Sequence, residues 1–284
     1  MEGGGPRSLL DWGYLAGLVG VLVLEVAGVL VQLITGRAVP EVTVPATAFV
    51  VACMLRDHGL RRTMTFVVLV LAIPFGSEFL GVLTGIPFGP YAYTGMTGPW
   101  LFGLVPLFIF VAWINIAYLA MATSTLALGR SRWWLALVDG ALAVSWDAMV
   151  DPLAVRAGYW AWVGPGNLYG VPWTNFLGWF LVVALFSWIV RTVWAREIAA
   201  PIRTSRATAF IVPALLLGSA ASFAALAATS GLWVSAGIGL GVLVPAVLVA
   251  WSRVARMGAG TAAPSPWAPT TTARRRAPQS EERT

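Results

Sequence analysis

The chain has 284 residues, of which 58% are hydrophobic and only 11% charged, with a mean hydropathy of +0.80. Charge this sparse in so apolar a sequence excludes an ordinary soluble domain and indicates a polytopic membrane protein. The net charge of +6 comes from 18 basic residues, all arginine; clustered at the ends of apolar stretches, they read as topology signals with some attraction to anionic lipid, not as a nucleic-acid footprint.

About 20 apolar residues cross a bilayer, which predicts an all-α transmembrane bundle with spans near 13–35, 40–55, 63–84, 101–128, 133–155, 172–195, 207–229 and 232–252. The count is eight, or seven if the short 40–55 stretch only dips into the membrane. In the eight-span arrangement Arg7, Arg56, Arg61, Arg62, Arg130, Arg132, Arg191, Arg196, Arg203, Arg206 and the tail arginines fall on one side, and only Arg37 and Arg156 on the other. By the positive-inside rule both termini are expected in the cytoplasm of a multi-pass cell-membrane protein. Glu25 interrupts the first apolar run and no small-residue cleavage pattern follows, so the run reads as a retained span. Residues 1–252 are expected to form one transmembrane domain. Residues 253–284, rich in Pro, Thr, Ala and Arg, read as a disordered cytoplasmic tail.

The first span carries one mid-depth acid, Glu25, either a packing hydrogen-bond site or a functional group. Cys53 is alone, so no internal disulfide forms, and the single His58, read as part of a loop with Arg56 and Asp57, offers no transition-metal cluster. The third span ends outward with Glu78, followed by a loop without a basic residue. The fifth span repeats this plan. Setting Glu78 over Asp147, an offset of 69, superimposes Gly89 on Gly158, Tyr91 on Trp160, Tyr93 on Trp162 and Gly95 on Gly164. Gly103 and Pro106 then match Gly170 and Pro172 approximately, and each Pro precedes a Trp by seven residues, Trp113 and Trp179. A parallel duplication of spans three and four onto five and six follows, with a pseudo-twofold axis along the membrane normal. It would set Glu78 and Asp147 facing each other across one cavity.

Asp147 and Asp151 lie one turn apart on one helix face. Two such carboxyls cannot both ionise cheaply in a low dielectric, so one keeps its proton while the other stays anionic, giving an acid and a base in one site. The plainer alternative makes Asp151, before Pro152, a helix-end cap. Asp139, near Arg132, reads as structural. Tyr91, Tyr93, Trp160, Trp162, Tyr169 and Trp173 crowd the loops beside these acids. They suit either an interfacial aromatic belt or a wall that stabilises a carbocation without offering it a nucleophile. Asn175 and Asn115, near the starts of returning helices, suit binding of water or an acid, or pairing with backbone.

The run Gly81 to Tyr93, GxxTGxPFGxYxY, with Glu78 before it, and the runs DxxxDPxAxxxGxWxW and YGVPxxNFxGW between Asp147 and Trp179 resemble the carotenoid biosynthesis protein family of integral membrane carotenoid hydratases, the bisanhydrobacterioruberin hydratase type among them. The resemblance is good over about residues 60–195 and rests on hydropathy alone outside them. It implies a cofactor-independent hydro-lyase acting on a carotenoid and water in the bilayer, with association with other carotenoid biosynthesis enzymes as a further expectation. It assigns no catalytic residue.

Read from the residues, hydration of an acyclic end group needs a protonated carboxyl, Asp147 or Glu78, to give a proton to the terminal double bond. The aromatic residues, with Trp113 and Trp179, then stabilise a tertiary carbocation, and a water positioned by Asp151 attacks to give a tertiary alcohol. An end-group cyclase would use the same acid and cation but exclude water. A transporter or lipid-binding protein would use the acids as proton relays.

Overall fold

The computed structural model describes residues 9–35, 43–94, 99–129, 133–196 and 206–256. Its elements among these are α1 (Leu9–Thr35), α2 (Thr43–Ala72), α3 (Pro74–Thr84), α4 (Leu107–Leu128), α5 (Leu135–Ala157), α6 (Trp173–Arg196), α7 (Arg206–Thr229) and α8 (Trp233–Arg256). Four short strands cap one end: β1 (Tyr91–Tyr93), β2 (Trp100–Leu101), β3 (Val105–Pro106) and β4 (Trp160–Trp162). The expected tail lies, beyond the end of α8 at Arg256, outside the described residues.

Gly59 settles the second span. Its φ of 76° and ψ of 169° interrupt α2 in a conformation that side-chain-bearing residues rarely adopt. On one arm Thr47 donates to Val111 O at 3.3 Å, while beyond the break Phe75 packs on Phe110 with centroids 5.4 Å apart. Between these levels His58 and Phe66 both meet Tyr118. The chain therefore descends along α4 to Gly59 and climbs back, so residues 43–58 and 60–72 form two arms that run in opposite directions. Pro74, unable to donate to the preceding turn, separates the second arm from α3. This corrects the expected loop around His58: the histidine is buried at the break, its Nε2 3.0 Å from the Tyr118 hydroxyl and its ring against Trp194.

Five described stretches are long and apolar enough to cross a membrane: Thr43–Thr84, Leu107–Leu128, Trp173–Trp194, Ala207–Thr229 and Trp233–Arg256. The first of these contains both arms of α2. Helix α5 falls outside that set because it carries Asp139, Asp147, Asp151 and Arg156. All three of its acids are buried, which fits its place at the centre of the bundle against α4, α6, α7 and α8. Leu24, Val68, Leu181, Leu185 and Leu248 are exposed, as expected of a surface that meets lipid tails.

The helix ends build the cap. Helix α5 runs through Pro152 and stops at Gly158, whose φ is 75°; Tyr159 N–H returns to Ala154 O at 2.9 Å, closing a Schellman turn that launches β4. Strand β4 pairs antiparallel with β1, Tyr91 opposite Trp162, Ala92 opposite Ala161 and Tyr93 opposite Trp160. The flanking bonds, Thr94 N–H to Tyr159 O and Val163 N–H to Pro90 O, exchange under the same 69-residue offset.

The second half of the repeat is as regular. Leu104 N–H to Leu101 O and Val171 N–H to Leu168 O are both 3.0 Å, around Phe102 and Tyr169, whose φ values are 51° and 50°. The two loops thus carry the local twofold relation that the parallel repeat requires.

Candidate active site

A cavity of about 240 Å³ opens beneath the cap, among α1, α2, α4, α5, α6 and α7. Its upper wall is made by Glu78, Asp151 and Asn175 together with Tyr91, Tyr93, Trp160, Trp162, Trp113 and Trp179. These nine side chains, all singled out in the sequence, therefore line one cavity.

Glu78, buried on α3, is held by three donors from the loop and from α4. The hydroxyls of Tyr91 and Tyr93 donate to its Oε2 at 2.5 and 2.7 Å, and the Trp113 indole N–H donates to its Oε1 at 2.9 Å. The indole nitrogen can only donate, so this set is shaped for an anionic acceptor. Burial, followed by the neighbouring Glu78 carboxylate, pushes the Tyr91 and Tyr93 phenols above their ordinary range. Both remain donors at physiological pH.

Asp147 and Asp151 form a different acid site. Asn175 on α6 donates its amide to both, at 2.9 Å to Asp147 Oδ2 and 2.5 Å to Asp151 Oδ2. Two buried carboxyls bridged by one amide cannot both ionise cheaply in a low dielectric, so one of them keeps a proton. Asp151 is on the cavity wall and Asp147 is reached through Asp151 and Asn175. Because α5 continues past Pro152 to Ala157, Asp151 is not a helix-end cap.

Trp113 and Trp179 stack with centroids 4.0 Å apart and planes 21° apart. Each comes from an equivalent position of the repeat, so the stack stands where the pseudo-twofold axis would pass. Tyr91 lies against Trp162 and Tyr93 edge-on to Trp160. The loop aromatics are thus assembled against the acids, and their polar edges are occupied. Trp162 N–H, for example, donates to Phe88 O at 2.9 Å.

Two foreseen residues are placed elsewhere. Tyr169 is 39% exposed and Trp173 68%; the first meets Val234 N–H through its hydroxyl at 3.4 Å and the second packs edge-on to Phe176. Asn115 lines the cavity and donates to Thr47 Oγ1 at 2.6 Å. Asp139 is structural, but its partner is Arg191 on α6, at 2.7 Å; Arg132 lies outside the described residues. Sequence reasoning missed Trp146 and Phe223, which line the cavity edge-to-face. It also did not connect Glu25 with this cavity. The intramembrane charge of Glu25 was the available signal; nothing marked Trp146 among the chain's 15 tryptophans.

The profile of a protein family described as "Carotenoid biosynthesis protein" matches residues 39–246, which include every helix from α2 to α7, most of α8, and the acids of the upper wall. A bisanhydrobacterioruberin hydratase of Haloarcula japonica is 35% identical over 124 residues, 43% of this chain and 42% of that protein. The match therefore spans less than half of either protein. No solved structure matches the chain.

Proposed function

Since the chain belongs to the carotenoid biosynthesis protein family, we propose that it is a membrane enzyme that adds water to the terminal C=C of an acyclic carotenoid end group. The observation that carries this reading is the pairing, on one aromatic cavity wall, of an acid bridged to a second acid by Asn175 with a separate carboxylate held by three donors. Hydration of a trisubstituted alkene needs those two functions and a site that tolerates a cation.

In the proposed reaction the Asp151 carboxyl gives its proton to the less substituted carbon of the double bond. The π electrons form the new C–H bond, and the more substituted carbon becomes a tertiary cation. The faces of Trp113 and Trp179 and the loop aromatics stabilise it electrostatically. Glu78 Oε1, with one donor from Trp113 and a second lone pair, accepts a proton from water as the water oxygen bonds to the cation. The product is a tertiary alcohol. Proton return from Glu78 to Asp151, through water in the cavity, restores the starting state, and the net change is addition of one water.

The sequence alone left the proton with Asp147 or Glu78. Access to the cavity favours Asp151 as donor, with Asp147 behind it. In the same reading both termini are cytoplasmic, the cap faces outward where water is available, and the polyene extends from the cavity between helices. Association with other carotenoid biosynthesis enzymes belongs to this proposal too.

The test is expression of the full chain in a host that accumulates an acyclic carotenoid, followed by mass spectrometry of the pigment. A gain of one water per modified end is expected. Unchanged mass with altered absorption would make the chain a cyclase, and unchanged pigment would defeat the reading for that substrate.

A further inference from the structure

The same cavity is lined by polar groups that the hydration steps do not use. Glu25 of α1, Asn115 of α4 and Ser219 of α7 line it. Glu25 Oε2 and Asn115 Oδ1 are both buried and have no hydrogen-bond partner among the described residues.

The orientation of Asn115 is fixed by its neighbour. Thr47 Oγ1 spends its proton on Thr43 O, at 2.8 Å, and Val111 O, at 3.3 Å. It can only accept from Asn115, so the amide nitrogen faces Thr47 and the carbonyl oxygen is the end left open. No arginine is among the described residues that line the cavity, so none of them supplies a cation for Glu25. Two buried acceptors without a donor are costly in a medium of low dielectric. What is missing is a ligand that brings hydrogen.

We propose that Glu25 and Asn115 form a subsite that binds a neutral O–H donor while the reacting alkene lies against Asp151 and Glu78. A hydroxyl fits because it donates to one oxygen and can accept from a nearby group, and because it crosses an apolar cavity without a charge to desolvate. Its source is either an alcohol on the carotenoid end group or a water kept in the cavity. The catalytic consequence rests on the hydratase reading, whereas binding at the subsite does not.

The full chain in detergent would be titrated by calorimetry with a short branched isoprenoid bearing a tertiary alcohol, and with its deoxy analogue. Glu25→Leu, Glu25→Gln and Asn115→Leu would be compared with the parent protein. If the subsite binds an alcohol, Glu25→Leu and Asn115→Leu weaken binding of the alcohol about tenfold, the loss of one hydrogen bond, and leave the deoxy analogue unchanged. If it holds water, Kd is unchanged for both compounds, while kcat for hydration falls about tenfold with either substrate. Should the leucine variants not assemble, Glu25→Gln, which keeps the side-chain shape, is expected to shift the same parameter in the same direction. Kd and kcat within twofold of the parent protein in every variant that assembles would overturn the subsite. Alcohol-selective binding in a chain that hydrates nothing would instead overturn the reaction and leave the subsite standing.

Discussion

Ala92 lies directly opposite Ala161 at the centre of the β1–β4 ladder, and the 69 positions between them are the offset that carries Glu78 onto Asp147. An antiparallel pair centred on equivalent residues is what a twofold axis produces. The Trp113–Trp179 stack is a second contact between equivalents. The halves differ in their bonding: Glu78 has three neutral donors, whereas Asp147 shares one amide with a second acid. In the proposed reaction this near-symmetric scaffold presents an acid on one side of a cavity and a base on the other.

Asp151→Asn removes the proton donor while preserving shape and the Asn175 contact. Hydration is expected to fall about 10²–10⁴-fold, the usual contribution of a positioned general acid, with carotenoid still bound. Asp147→Asn acts through Asp151 and is expected to cost less and to reshape the pH–rate profile. Steady-state hydration by membranes at several pH values checks both, and an Asp147 variant more damaged than the Asp151 variant would reverse their roles.

The three donors around Glu78 predict a graded series. Glu78→Gln abolishes the base and places an amide N–H among groups that are themselves donors, so it should lose both activity and stability. Tyr93→Phe removes one of three hydrogen bonds to a charged group, worth about 1.5–3 kcal/mol. It is expected to slow hydration about tenfold or more without altering the product. Product ratios by mass spectrometry and melting temperature in detergent separate these outcomes.

Much of this site was legible because membrane burial makes charge rare. Glu78, Asp147 and Asp151 stood out against apolar sequence, and the regular spacing of Tyr91, Tyr93, Trp160 and Trp162 marked two loops as equivalent, though not that they pair as strands. Distance along the chain failed where burial depends on the path of a loop. Tyr169 and Trp173 belong to the same motif as Asn175, yet the turn at Tyr169, with its positive φ, leaves both outside the cavity. Glu25 was visible as a charge, but only helix packing joins α1 to the cavity. His58 resembled a loop residue because the break at Gly59 resembles one in sequence.

The stacked indoles give a prediction for the cation. Trp179→Leu keeps an apolar filler but removes a π face, and an interaction of about 0.5–2 kcal/mol or more with a desolvated cation is lost. Hydration is expected to drop about threefold to thirtyfold, with Trp179→Phe intermediate. Substrate binding should change less than turnover, because the neutral alkene gains little from the quadrupole. Equal losses in KM and kcat for Leu and Phe would assign Trp179 to packing alone.

The half of the bundle away from the cap carries a polar network that is structural by its own geometry. Arg191 donates to Asp139 Oδ2 from Nε at 3.0 Å and from Nη2 at 2.7 Å, and to Thr125 and Ser124 at 3.0 Å. The hydroxyls of Ser124 and Ser187 both donate to the Asp139 carboxylate. The pair is buried and ties α4, α5 and α6 together below the cavity. Removing one partner strands the other charge in a low dielectric, a loss of about 3–5 kcal/mol. Asp139→Asn or Arg191→Met alone should therefore depress expression and melting temperature sharply. The double variant Asp139→Leu with Arg191→Met removes both charges and should recover much of that loss, since a buried pair replaced by apolar groups is often neutral. Whatever protein assembles should keep the parent product, because none of these residues lines the cavity. A double variant as unstable as the singles would show that the hydroxyls left behind, those of Ser124, Thr125 and Ser187, need the charges as much as the charges need each other.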